Sequence, residues 1–316
     1  MLAPLYLWSL ATDVSIGSLR EQFWHTGPII TGPAMTKRPG HVTVLQEIEY
    51  SHRTRYTNNW KADKTNLLKR VDFSLYGVTG ITSWMDVIVR PRWQWNDRKG
   101  VTTWVLADTR VQFDFQLFRD QLPSTTWLPS MRLVVRETCP TGKYQHLNPK
   151  KLRTDRGGNG VWETTIGLNI GKIFYFGGHQ FLNVLYNIHG SFGAPTHVHG
   201  FNTYGGGYGT NGTVYPERKL RMSFAMEYPL TQSWIIAIDS EGYWWSKTRF
   251  SGKNGVTAAG TPASNTRFSS IQYSLAPSIE YVWSKNLGIY LGSWFTVAGK
   301  NSPRFRTMTF AFLYSG

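Results

Sequence analysis

Gly207-Tyr-Gly209-Thr-Asn-Gly212 has the spacing G-x-G-x-x-G. In a dinucleotide-binding unit those glycines let the backbone close on a pyrophosphate at a helix N-terminus. That chemistry needs a strand before the glycines, a helix after them and an acid about 20 residues on. Here Gly212 is followed by Thr-Val-Tyr-Pro and a segment of period two, and Asp239 falls in the middle of a later hairpin. The match is therefore accidental. His197-Val-His199 puts two imidazoles on one side of an extended segment, half of a zinc site. With no third ligand nearby it reads as a loop histidine pair, and no metal is expected. Pro140-Thr-Gly-Lys143 does not meet G-x-x-x-x-G-K-[ST] and reads as a turn. Cys139 is the only cysteine, so neither a disulfide framework nor a cysteine metal cluster is available. No cofactor is expected.

The residue types that remain are charges, and their spacing is regular. Across 218–229, Leu220, Met222, Phe224, Met226 and Tyr228 alternate with Lys219, Arg221, Ser223, Ala225 and Glu227. A strand with one apolar face and one polar face alternates in this way. The same pattern sets Val111, Phe113, Phe115 and Leu117 against Arg110, Gln112, Asp114 and Gln116, and Met131, Leu133 and Val135 against Arg132 and Arg136. It predicts twelve strands, at about 40–52, 67–77, 83–95, 101–118, 127–137, 161–173, 180–190, 218–229, 232–246, 269–284, 286–298 and 304–314. The connections alternate in length. Those after strands 1, 5, 7 and 9 are long, and those after the even-numbered strands are short, such as Leu230-Thr231. Every long loop thus falls at one end of the sheet.

This is the asymmetry of a transmembrane antiparallel up-and-down β-barrel, with short periplasmic turns and long outer loops. A soluble sandwich has no reason to gather its long loops at one end. The chain has 316 residues, 15% aromatic with 14 Trp, and a mean hydropathy of −0.31. No apolar run approaches the roughly 18 residues of a spanning helix. The expected organisation is an N-terminal segment, 1–39, and an outer-membrane barrel, 40–316. Residues 1–12 read either as the tail of a signal peptide or as an ordinary apolar terminus, and the remainder of 1–39 as a periplasmic or plug segment.

The net charge of +15 first suggests nucleic acid. Nearly all of the excess lies in the outer loops, however, where it forms a crown rather than a groove with stacking aromatics. Nucleic acid is therefore not the expected partner. A crown of this kind meets lipopolysaccharide phosphates, with Arg53, Arg55, Lys143, Lys150, Lys151, Arg153 and Lys253 as the contacts. Phe310, Phe312 and Tyr314 share one face of the last strand, similar to the signal read by the barrel-assembly machinery.

Several segments resemble a known group. Residues 138–149, TCPTGKYQHLNP, and 196–216, THVHGFNTYGGGYGTNGTVYP, look like segments of outer-membrane transporters of the phenol meta-pathway type (MetA-type), related to long-chain fatty-acid transporters. HTGPIITGPA at 25–34 and KRPGH at 37–41 resemble that group's N-terminal segment, and 274–302 its last hairpin. The resemblance implies a barrel in a Gram-negative outer membrane that passes small hydrophobic or aromatic compounds. Fatty-acid transporters proper have fourteen strands and an N-terminal hatch. Twelve strands and 39 preceding residues leave room only for a short plug.

By alternation the inward face carries Asp86, Arg90, Arg92, Arg110, Asp114, Arg132, Arg136, Glu163, Arg221, Glu227, Asp239, Glu241 and Glu280, with Tyr290 and Trp294 beside Gly288 and Gly292. These residues line either a polar passage whose charges tune selectivity or a closed lumen stitched by ion pairs. Tyr204, Tyr208 and Tyr215 are the gate candidates on the loop around the glycines. The local signatures of outer-membrane phospholipases and omptin-type proteases are missing, so no enzyme is expected. The sequence thus favours a monomeric channel or transporter. The alternatives are an adhesive surface protein with a basic crown, and a soluble all-β binding protein.

Overall fold

The computed structural model describes residues 27–120, 127–177 and 180–316, so the readings placed on 1–12 lie outside the described residues. Alternation becomes strand along β1 (Val42–Tyr56), β2 (Ala62–Thr82), β3 (Met85–Arg90), β4 (Arg92–Arg98), β5 (Val101–Leu106), β6 (Thr109–Phe118), β7 (Ser130–Cys139), β8 (Glu163–Gly177) and β9 (Gln180–Gly193). The chain continues through β10 (Thr196–His199), β11 (Asn211–Tyr215), β12 (Lys219–Pro229), β13 (Trp234–Trp245), β14 (Arg249–Lys253), β15 (Ser270–Ser284), β16 (Leu287–Lys300) and β17 (Pro303–Ser315). β10, β11 and β14 form a separate three-stranded sheet; the other fourteen segments form one sheet.

Those fourteen segments make twelve antiparallel strands closed into a barrel. β3 and β4 both pair with β2 and are two halves of one strand broken at Pro91, which has no N–H for the ladder. Opposite that break, β5 and β6 are likewise two halves of one strand, parted at Ala107 and Asp108. Closure runs through β1, which pairs with β17 from Thr43↔Ser315 to Arg55↔Pro303 and with β2 on its other edge. Val42 and Gly316 exchange two backbone hydrogen bonds of 2.8 Å at the seam. An even number of strands brings both ends of the barrel to the short-turn side, as the alternation predicted.

Lipid-facing chemistry is set by parity. Val44, Phe113, Ile166, Phe224, Ile236, Ile238, Leu291 and Phe310 are exposed on the outside, while their sequence neighbours are buried within. Trp84, Trp127, Trp234 and Trp283 ring the short-turn end, and Trp104, Trp162, Phe192 and Tyr273 the long-loop end. Such a band between two aromatic girdles fits a bilayer, where all backbone polar groups must be paired internally. Ile238→Arg, in mid-strand on this face, is expected to cost about 2–4 kcal/mol. Urea titration of the folded, heat-modifiable form in lipid reads this directly. An unchanged midpoint would mean that the face meets water.

Candidate functional site: the barrel lumen and its outer mouth

Residues 29–37 enter the barrel from the short-turn end and climb to its middle. The Lys37 amide donates to Asp86 at 3.0 Å and the Thr36 amide to Gln116 at 2.8 Å, both on strand ends near the short turns. Gln116 returns a bond to the Ala34 carbonyl, and Arg119 holds Thr36 at 2.8 Å. Higher up, Asn169 and Asn187 donate to the carbonyls of Pro33 and Gly32 at 2.9 and 3.2 Å. The amides of Thr31 and Ile30 then donate to the two oxygens of Asp239 at 2.9 and 3.4 Å, and Arg221 donates to the Ile30 carbonyl at 3.3 Å. A segment without secondary structure of its own must find partners for its buried backbone, and here the wall supplies them. Apolar contacts add to the hold: Ala34 packs with Leu185 and Ala225, and Met35 against Ile173 and Phe181. Gly292, on the inward face by alternation, lies where a side chain would run into Ile29. The room exists and the N-terminal segment fills it.

Around and above this segment the wall charges pair. Glu47, 3% exposed, accepts from Arg90 at 2.8 Å, Tyr290 at 2.7 Å and Tyr76 at 3.2 Å. Arg90 also lies 4.1 Å from the Tyr76 ring centroid. Asp72 receives Gln94 at 2.7 Å, Arg53 at 3.3 Å and Arg92 at 3.4 Å. Arg132 pairs with Asp114 at 2.9 Å and reaches Asp86 at 3.9 Å. Across the lumen Arg221 pairs with Glu241, Lys219 with Glu163, and Asn183 donates to Glu227. Trp294 donates its indole N–H to Ser274, and Glu280 is fully buried. The inward residues expected from alternation therefore all face inward, and most are engaged with one another.

Arginines are the exception. Arg110 has no hydrogen-bonding or ion-pair partner among the described residues. Arg136 is held by the amide oxygen of Gln112 at 2.6 Å and Arg70 by that of Asn96 at 2.7 Å, both neutral. Arg70, Asp72 and Tyr76 were not among the candidates, although carrying the parity of the second strand through 70–76 finds them. Gln116, Asn169 and Asn187 were missed because a neutral amide on a polar face carries no signal until something lies against it.

The outer loops fold over the mouth. Leu147 donates to the Phe201 carbonyl and Thr203 to the Tyr144 carbonyl, and β11 pairs with both β10 and β14, so three loops lock together. The glycines that mimicked a nucleotide loop have a packing role. A Cβ on Gly207 would strike the Val256 carbonyl and one on Gly212 the Ser251 carbonyl, while Gly209 sits at φ +74°. Gly205, at φ +147°, lies against the Ser264 carbonyl in the same way. Gly205→Ala is therefore expected to part the loop at 194–218 from that at 246–269, seen as new protease cleavage in these loops of the intact barrel. An unchanged digestion pattern would refute this.

Of the three gate tyrosines, Tyr204 alone is buried at the mouth, with the Arg267 guanidinium 4.6 Å from its ring centroid. Tyr208 is 60% exposed, edge-on to Phe201, and Tyr215 sits on the outside of the loop sheet near Arg249. The basic crown also divides. Lys143, Lys150, Lys151, Arg153 and Lys253 are exposed, Lys143 beside Asp155 at 3.3 Å. Arg53 does not belong with them: β1 runs four residues past its expected end, so parity turns Arg53 inward to Asp72. Arg55 and Arg153 turn toward a cavity at the mouth.

The histidines separate as well. His189 lies in the lumen, 2.8 Å from Asn169, whereas His197 and His199 sit together outside, with ring centroids 4.6 Å apart. His146 stacks on His199 at 6.1 Å. Among the described residues no group of His, Cys, Asp and Glu is placed to hold a metal.

No family model matches the chain, and no curated protein matches it. Among solved structures it is similar to the COG4313 outer membrane channel from Pseudomonas putida F1, with a TM-score of 0.67 at 12% identity over 90% of this chain and 98% of that one. It is similar at a TM-score of 0.44 to the NanC porin, at 8% identity over 85% and 98% of the two chains. It reaches 0.36 with the TodX deltaS2S3 mutant monoaromatic hydrocarbon channel, at 9% identity over 89% and 91%. The last two scores are too low to bear on function. The likeness to the Pseudomonas channel, at 12% identity, establishes a common barrel fold.

Proposed function

We propose that this chain is an integral outer-membrane channel of a Gram-negative bacterium that admits small molecules, aromatic or otherwise hydrophobic in part. On this reading it stands with the phenol meta-pathway-type transporters that its sequence resembles. One observation carries the proposal: a closed barrel with an apolar exterior holds a charged lumen filled as far as its middle by its own N-terminal segment. A barrel whose only task is to present loops needs no such segment, which buries many polar groups to occupy a space that wall side chains would otherwise fill. The fold of the Pseudomonas channel supports the same reading. No catalytic constellation is required of it, and we read it as non-enzymatic and monomeric. Its last strand is the element that the barrel-assembly machinery would engage. The exposed Lys150, Lys151 and Lys253 are placed to meet lipopolysaccharide phosphates at the outer surface.

The test is single-channel recording in planar bilayers, with liposome swelling on small aromatic solutes. Small discrete conductance steps and solute entry are expected. An electrically silent barrel that also stays silent after removal of residues 29–37 from the lumen would refute a channel and favour the adhesive alternative.

A further inference from the structure

At the outer mouth a cavity of about 440 Å³ is lined from several sides of the barrel: by the end of β1, the start of β2, the loop ahead of β8, the loop between β10 and β11, the loop ahead of β15, and Asn301 before β17. It therefore sits over the lumen rather than against the bilayer. Four guanidinium groups line it, those of Arg55, Arg153, Arg156 and Arg267. The acid in its lining, Asp63, accepts from Thr65 at the start of the same strand, β2. Arg267 reaches Glu217 at 3.5 Å and the Thr203 carbonyl at 2.8 Å, but Arg156 has only the neutral Asn159, at 2.8 Å. Leu152 and Arg153 are both held at positive φ, +50° and +66°, a costly backbone that aims Arg153 at the cavity. Tyr204, whose ring carries the Arg267 guanidinium at 4.6 Å, and the exposed Phe268 complete the lining.

We propose that this cavity binds a small aromatic carboxylate on its way into the barrel. The guanidinium fork matches a carboxylate in two parallel hydrogen bonds, and the flanking rings accept a flat apolar body. Burial, together with Arg267 and Arg70, pushes the Arg156 guanidinium down to about 9. It remains cationic at neutral pH, and a bound anion would relieve its desolvation. Below the cavity a line of arginines continues, in which Arg92 has Asp72 as its acid partner at 3.4 Å. Arg156 is a close electrostatic neighbour of Arg70, Arg70 of Arg92, Arg92 of Arg110, and Arg110 of Arg136. The bound anion thus faces a descending series of arginines that reaches the level of the N-terminal segment.

This inference rests on the channel reading for its direction of travel, but its test is binding, which does not require conduction. Benzoate, benzyl alcohol and inorganic phosphate are titrated into the detergent-solubilised protein by calorimetry. Benzoate is expected to bind, benzyl alcohol and phosphate at least tenfold more weakly, with affinity falling as salt rises. Arg156→Gln and Arg153→Gln are each expected to lower benzoate affinity about tenfold, the loss of one charged contact. The Arg153 side chain makes no hydrogen bond or ion pair among the described residues, so its replacement keeps the fold, checked by heat-modifiable gel mobility. Equal binding of benzyl alcohol or of phosphate, no binding of benzoate, or benzoate binding indifferent to Arg153→Gln would each overturn the proposal. A silent bilayer with specific benzoate binding would instead count against the channel alone.

Discussion

Joining an export signal directly to Arg38, so that residues 29–37 are gone from the lumen, is expected to raise single-channel conductance several-fold while the barrel remains folded. The wall does not depend on this segment for closure, because every wall segment except β5, which pairs with β4 alone, is hydrogen-bonded along both edges, β1 to β17 and β2 included. The segment depends on the wall, through Asp86, Gln116, Asn169, Asn187, Arg221 and Asp239. Its removal returns those groups to water, which fills the vacated lumen and hydrates them. Asp239→Ala should give a partial version of the same effect, by freeing the amides of Ile30 and Thr31 and leaving the lower anchor at Asp86 and Gln116 in place. More frequent brief openings, rather than one larger steady conductance, would be its signature. Unchanged conductance in the truncated protein, with its mobility shift on heating preserved, would show that the constriction lies elsewhere.

Glu47→Ala is expected to destabilise the barrel by about 3–5 kcal/mol, the cost of breaking a buried pair from one side. The loss is large because three donors converge on one carboxylate from β2, the β3 end of the broken strand and β16. Removing the acid leaves the Arg90 guanidinium inside the wall with the Tyr76 ring and the Ser74 hydroxyl, at 3.0 Å, in place of a counter-charge. Arg90→Ala in the same background should recover much of the loss, since it removes the orphaned charge. Urea midpoints of the two single variants and the double variant, read as the heat-modifiable fraction, give the coupling. A double variant as unstable as the sum of the singles would mean that the two residues do not act as a pair. Because Glu47 makes its hydrogen bonds to wall residues and none to residues 29–37, this variant should change stability more than conductance, the reverse of the truncation.

The two results would separate what was legible in the chain from what was not. Strand number, parity and the end that carries the long loops follow from local alternation, because each strand has lipid on one side and the lumen on the other. That is why Asp86, Arg110, Asp114, Arg132 and Glu241 were placed inward from sequence. The errors fall where alternation stops being informative. Arg53 was assigned to a loop because charged residues at the end of β1 resemble a turn, although the strand continues to Tyr56. Tyr208 and Tyr215 share a loop with Tyr204, and nothing local distinguishes the ring that turns to the mouth from the two that turn away.

Residues 29–37 carry Gly, Pro and Thr without any period, so sequence could admit a short plug but not place it. Its hydrogen bonds span separations of 49 to 209 residues and exist only once the barrel has closed. The mouth cavity is equally non-local, since its four arginines come from three separate stretches of chain. Sequence by itself determined a barrel and the face each wall residue takes, because the bilayer imposes that pattern one strand at a time. Only the tertiary structure decided which charges pair, what fills the lumen and where arginines gather, because those depend on strands and loops far apart in the chain meeting across the barrel axis.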